Sequence, residues 1–458
     1  MSQYVPETSP AVEIEKRDQL VGFFEAAGKT RENWRIGTEY EKVAVRVRDG
    51  RAVTFYDAHG IEALLVRLAE RYGWERVLEN DRVVALSGHK AAITLEPGGQ
   101  LELSGEVCDS VHCAQAELSR HIDEIVTVGS EMGIAFLGLG MQPVSRVEEI
   151  AFVPKKRYRI MAPYMQRVGS LGLRMMAQTA TVQVNLDYAG ESDALEKIRV
   201  GMGLVPILTA MFANSPLSDG DLNGYLSFRG HIWTRTDPAR CGLLPFVFGP
   251  DAGFEDYVDY ALDVPMYFIV RDGEWFDMTS QTFRDFLKSG HRGHRATMAD
   301  WSSHLTTLFP EVRLKSYIEL RSADSQSPEL MLAVPALAKG IFYESDCLLA
   351  AWDLVKRWTW DERMELYHAA HREALGARLH RTSLADLARE LLDIATVGLQ
   401  RQRALNARGE DESVYLRNLG ELVRRGVCPA EIIVGKWSGE WDHEIARLIE
   451  ASSYRTAA

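Results

Sequence analysis

Four short stretches of this chain share one arrangement: polar, chemistry-bearing side chains at alternate positions with apolar residues between them. Residues i and i+2 of a strand lie on the same face. In Gly37-Thr38-Glu39-Tyr40-Glu41 both carboxylates fall on one side. In Ile93–Leu103, Gln100 and Glu102 stand opposite Leu101 and Leu103, with Glu96 ahead of Pro97-Gly98-Gly99. Thr181, Gln183, Asn185 and Asp187 oppose Val182, Val184 and Leu186. Read as a single strand, 313–321 puts Arg313, Lys315, Glu319 and Arg321 on one face and Leu314, Ile318 and Leu320 on the other. Carboxylates at i and i+2 repel unless something positive sits between them. A divalent cation is the economical answer, because Mg²⁺ takes oxygens from a few carboxylates and from substrate phosphates. Arg313, Lys315 and Arg321 would face phosphate oxygens across the same cleft. A solvated sheet side explains any one such strand; four together point to a Mg–nucleotide site on a sheet face. There is no GxxxxGK[ST] run, and no GxGxxG between a strand and a helix, so the nucleotide is not held by a P-loop or a Rossmann turn.

The elements that must carry these residues follow from periodicity and turn signals. Residues 12–28 and 61–73 read as helices. Residues 35–48 read as a strand that Asp49-Gly50 closes onto Ala52–Tyr56 as a hairpin. Two short strands flank Pro97-Gly98-Gly99, and a long helix at 110–132 leads into a strand over Ile134–Leu139. Residues 179–188 and 312–321 are further strands. Asp193 and Glu196 make a capping-box start to a helix that ends before Pro216. From Pro328 only helical patterns appear, including Ser383–Leu405. The expected organisation is a mixed α/β catalytic region over 1–325 and a helical part over 326–458 packed on the same unit. Long, irregular connections argue against a regular βαβ repeat.

Of the 458 residues, 46% are hydrophobic and 26% charged, which excludes a disordered or fibrous chain. The net charge of −13 and the lack of a basic block make nucleic acid a poor partner. The five cysteines form no CxxC and read as buried thiols in a reducing compartment. The start, MSQYVPETSP, is unlike a secretory signal. The apolar stretch 201–213 is short of the roughly 18 residues that span a bilayer. The expectation is a cytoplasmic protein with no membrane segment. His291 and His294 read as part of a basic loop, and His368 and His371 as a solvated helix face. Trp352, Trp358 and Trp360 read as anchors of the helical part.

The motifs GTEYEK (37–42), ITLEPGGQLELSG (93–105), RYRIM (157–161), TATVQVNLDY (179–188), SFRGHIWTRTDPAR (227–240), DYALDVPMYF (259–268) and HLTTLFPEVRLKSYIELRSAD (304–324) resemble glutamate–cysteine ligases of the plant and proteobacterial type. The resemblance implies an α+β fold like that of glutamine synthetase: an antiparallel sheet cradle flanked by helices, with a helical C-terminal part. It implies ligation of the glutamate γ-carboxylate to the cysteine amine, with ATP as substrate and about two or three Mg²⁺ ions, in a monomer or homodimer. By the same resemblance Glu39, Glu41, Glu96, Glu102 and Glu319 would be metal ligands, and Arg321, with Glu319, catalytic. Arg313, Lys315 and Arg321 would face ATP, and Arg229 would hold the glutamate α-carboxylate. Arg157, Tyr158, Gln183 and Asn185 would line the substrate site, and Trp233 and Tyr267 would lie near the cysteine side chain. Tyr40 stands where the family pattern expects histidine, but it points to the other face. Ser322 replaces a glycine. The hairpin at Asp277-Met278 lacks the cysteine of plant members, so no disulfide switch is expected there. A γ-glutamyl ligase for another amine and a guanidino kinase of the same fold are the competing readings.

Overall fold

The computed structural model describes residues 12–456, so the reading of the first ten residues lies outside it. Nine strands form one antiparallel sheet: β1 (Ile36–Arg46), β2 (Glu75–Glu79), β3 (Arg82–Gly88), β4 (Ala91–Leu95), β5 (Leu101–Ser104), β6 (Ile134–Leu137), β7 (Thr181–Leu186), β8 (Val312–Leu314) and β9 (Ile318–Asp324). Their order is β8-β9-β7-β1-β5-β4-β3-β2, with β6 paired to the far half of β1. The first half of β1 is therefore flanked by β7 on one side and β5 on the other.

One face of the sheet is apolar because Val182, Val184 and Leu186 of β7 all point that way and are fully buried. The principal helices are α1 (Asp18–Glu25), α2 (Ile61–Tyr72), α3 (Val111–Glu131), α4 (Lys156–Val168), α5 (Gly172–Gln178), α6 (Glu191–Met211), α7 (Phe228–Trp233), α8 (Ala333–Phe342), α9 (Trp360–Glu373) and α10 (Leu384–Gln402). Helix α6 packs on β9, and α8 on β7 and β1. Helices α8 and α10 cross so closely that a Cβ at Gly398 would lie 1.9 Å from the Gly340 carbonyl oxygen. Only glycine permits that approach. Trp352 stacks on Phe248, tying the C-terminal helices to the rest. The opposite, polar face of the sheet is left to α4, α5 and α7, which close over it.

Several expectations need correction. Residues 313–321 are a hairpin, not one strand: the chain turns at Lys315-Ser316-Tyr317, where the Lys315 amide donates to the Tyr317 carbonyl at 2.8 Å. Arg313 and Glu319 thus become cross-strand partners. The first helix is only eight residues long, and the turn at Asp49-Gly50 closes a single bridge, Val45 to Ala52. Helix α6 begins at Glu191; Asp193 instead accepts from the Ala189 amide and from Lys197. The β2–β3 hairpin was not expected. Cys108 and Cys113 form a disulfide across the start of α3, because the Ser110 cap turns the chain and brings their Cα atoms to 5.7 Å. His371 is buried rather than solvated, seated against Gly230 of α7.

Candidate functional site

The strand register turns the alternation into rows. Glu41 of β1 lies opposite Glu102 of β5, and Glu102 opposite Thr94 of β4. Glu39 lies opposite Gln183 of β7, and Glu319 of β9 opposite Asn185. Glu96 arrives from the turn after β4. That turn is fixed by Gln100, whose amide donates to the Met176 and Thr179 carbonyls while its oxygen accepts from the Gly98 amide. Gly98 is required there, since a Cβ would meet the Ala177 oxygen at 2.1 Å.

Glu41, Glu96 and Glu102 form one cluster, with a carboxylate oxygen of each within 4.8 Å of the others. Burial, then Glu39 and Glu96, push the Glu102 carboxyl up to about 8. Burial, then Glu96 and Glu102, hold Glu41 well above its ordinary range. Crowding and desolvation favour the protonated form of Glu41 and Glu102 unless a cation joins them. The Glu102 carboxylate accepts from the Ser104 hydroxyl, and Glu41 from the Thr181 amide at 3.0 Å. An all-oxygen donor set of this kind fits a hard divalent ion.

The other end of the same face is basic. Glu319 is fully buried and takes Arg313 at 2.6 Å, Lys315 at 2.8 Å and Arg321. Burial works against its charge, but the three cations outweigh that and keep the carboxyl well below the usual range. Even with Glu39 counted beside Glu319, three cations against two acids leave a net positive patch. Arg321 also donates to the Gln183 side chain and lies over the Trp233 and Phe309 rings.

One cleft joins the two ends. It is lined by Glu39, Glu41, Glu96, Glu102, Arg157, Tyr158, Gln183, Arg229, Trp233, Arg313, Lys315 and Arg321, so most of the expected site residues meet there. Arg157 lies against the Tyr158 ring at 5.3 Å. The buried Arg157 Nε and Trp233 Nε1 have no hydrogen-bond partner. Glu319 sits beneath its cations rather than among the acids, and Asn185 donates to Glu39 at 3.2 Å. Tyr267 is not brought to the cleft: it is fully buried, with the Arg240 guanidinium over its ring at 4.1 Å and its hydroxyl on the Met165 sulfur. Sequence reasoning passed over Met161, Met175, Met176, Thr306 and Phe309, which also line the cleft. The methionines carry no polar group to mark them, and Phe309 falls within the 304–324 stretch between residues of stronger chemical character.

An acidic end facing a basic end on one antiparallel face is the layout of an enzyme that handles a nucleotide phosphate beside a divalent cation. The sequence model of "Glutamate-cysteine ligase family 2(GCS2)" matches residues 35–451, and the chain belongs to that family. It is 45% identical over 447 residues to the chloroplastic glutamate–cysteine ligase of Brassica juncea, covering 97% of this chain and 85% of the relative. It is 44% identical over 447 residues to the Arabidopsis thaliana enzyme of the same name, covering 97% and 84%. A crystal structure of glutamate–cysteine ligase from Francisella tularensis in complex with AMP matches at a TM-score of 0.53 and 15% identity, over 93% of this chain and 90% of that one, which supports the fold alone. The family is one of ATP-dependent ligases that use a divalent metal. The cytoplasmic expectation is overturned by the same matches, since these relatives are named chloroplastic. Its basis was a start unlike a secretory signal, the lack of a spanning stretch and the sparse cysteines, and two of the five cysteines are bonded to each other. Among the described residues no helix is long and apolar enough to cross a membrane.

Proposed function

We propose that the cleft joins glutamate to cysteine by way of a γ-glutamyl phosphate, the glutamate–cysteine ligase reaction that opens glutathione synthesis. The observation that carries this reading is the division of one sheet face into the Glu41–Glu96–Glu102 cluster and the Arg313–Lys315–Arg321 cluster. Glu39, Glu41, Glu96 and Glu102 would hold Mg²⁺, with Glu319 joining as its cations turn to the nucleotide; about two or three ions would balance these acids. Bound there, Mg²⁺ neutralises phosphate charge and polarises the transferring group.

The protein's own residues do the rest by position and charge. Arg313 and Lys315 bind phosphate oxygens at the basic end. Arg321, between Gln183 and Trp233, meets the phosphoryl group as it passes to the glutamate γ-oxygen. Arg229 holds the glutamate α-carboxylate, which leaves the γ-carboxylate directed toward the acids. Arg157, Tyr158, Gln183 and Asn185 shape the substrate end, and Trp233 contacts cysteine. That transfer breaks the bond to the β-phosphate and releases ADP; the cysteine amine then attacks the acyl carbon and gives up a proton, the C–OP bond breaks, and phosphate leaves. Glutamate carrying heavy oxygen in its γ-carboxylate tests the pathway: one labelled oxygen should appear in the released phosphate. Unlabelled phosphate would exclude the acyl phosphate.

A further inference from the structure

We infer that Asp324 is a positioning residue for Arg229, and through it for the α-carboxylate of the amino-acid substrate; this rests on the proposed role of Arg229. Arg229 is the second residue of α7, a helix of six residues. A helix that short has no stability of its own and must be pinned by tertiary contacts. Beside its packing against His371, one such contact is a carboxylate at the end of β9. Asp324 is buried, and its Oδ2 accepts from the Asn214 amide at 2.8 Å and the Ser215 hydroxyl at 2.7 Å. Its Oδ1 accepts from the Ser227 hydroxyl at 2.9 Å.

Each of those serines reaches α7 in turn. Ser227 caps the helix, its oxygen accepting from the Gly230 amide at 3.2 Å. The Ser215 oxygen accepts from the backbone amide of Arg229 itself at 3.0 Å. The guanidinium is set by the same strand: Nη1 lies 3.8 Å from Asp324 Oδ1, and Nη2 donates to the Arg321 carbonyl at 2.9 Å. Backbone and side chain of Arg229 are thus both referred to β9, the strand that also carries Glu319 and Arg321. An amide at 324 cannot do this. Its NH₂ group would face a hydroxyl or an N–H that needs an acceptor, so one tie breaks, and the buried guanidinium loses its counter-charge.

The test is Asp324→Asn beside Arg229→Gln and the double variant, each assayed for kcat and for KM with all three substrates. Arg229→Gln should raise the KM for glutamate by about a hundredfold, and Asp324→Asn by about tenfold, with the KM for ATP and cysteine within about twofold. The double variant should match Arg229→Gln alone, because Asp324 acts through that side chain. An unchanged glutamate KM in Arg229→Gln would refute the role of Arg229. A normal response in Arg229→Gln with an unchanged glutamate KM in folded Asp324→Asn would refute the positioning role alone, as would additive effects in the double variant. If Asp324→Asn fails to fold, Ser215→Ala replaces it: a selective rise in glutamate KM of about threefold supports the inference, and no rise overturns it.

Discussion

Glu102→Gln should make the metal-free protein more stable while destroying its activity. Glu102 is buried beside Glu39 and Glu96, and its carboxyl is pushed from 4.5 to about 8. The unfolded chain releases that proton near its ordinary value and the folded chain keeps it, so stability falls as pH rises from about 4.5 to about 8. At pH 7 the loss is about 3 kcal/mol. Glutamine has the shape of the protonated acid and can still accept from the Ser104 hydroxyl, so it removes the loss without opening a cavity. In EDTA at pH 7, Glu102→Gln should melt roughly 3–6 °C higher than the parent, and the two should converge near pH 4. With Mg²⁺ the order reverses: the parent gains stability by binding the ion, the variant gains little, and turnover falls by about a hundredfold or more. Thermal melts across pH with EDTA or Mg²⁺, run beside a turnover assay, read all of this. A variant that melts at or below the parent in EDTA and keeps its Mg²⁺ response would refute the crowded-acid account.

Glu319→Gln takes from Arg313, Lys315 and Arg321 the one carboxylate that pairs with all three, and should cost about 3–5 kcal/mol in urea unfolding as well as most of the activity. Tyr267→Phe should leave the KM for cysteine within about twofold, since Tyr267 lies under Arg240 and away from the cleft, whereas Trp233→Ala should raise it about tenfold or more. Cys108→Ser opens the short Cys108–Cys113 loop and should cost about 2 kcal/mol, seen as a lower melting temperature that matches the dithiothreitol-treated parent.

The grouping of the site residues was legible because a strand fixes which side chains share a face. Glu39 and Glu41, Gln183 and Asn185, and Gln100 and Glu102 needed only the two-residue period, and the register then aligned them. The turn inside 313–321 was hidden because Lys315-Ser316-Tyr317 contains no glycine, proline or asparagine. The face assignment survived only because a hairpin folds the same alternation back on itself. The β2–β3 hairpin did carry a signal: Asn80 and Asp81 both take positive φ, at 51° and 59°, as a two-residue hairpin turn demands. Which way Tyr267 faces could not be read locally. Arg240, fully buried and bonded to Asp237 at 2.6 Å, claims its ring from another segment. The burial of His371 under α7 and the closure of the Cys108–Cys113 bond likewise depend on how distant or capped segments pack, and periodicity carries no trace of either.

The most direct test of the central claim is ADP and phosphate formation by the purified protein with ATP and Mg²⁺, with glutamate and cysteine each omitted in turn. The acid and cation clusters around one cleft predict that full turnover needs both amino acids, and that γ-glutamylcysteine, ADP and phosphate appear in equal amounts. ADP released at the full rate with neither amino acid present, or without phosphate, would contradict the ligase account.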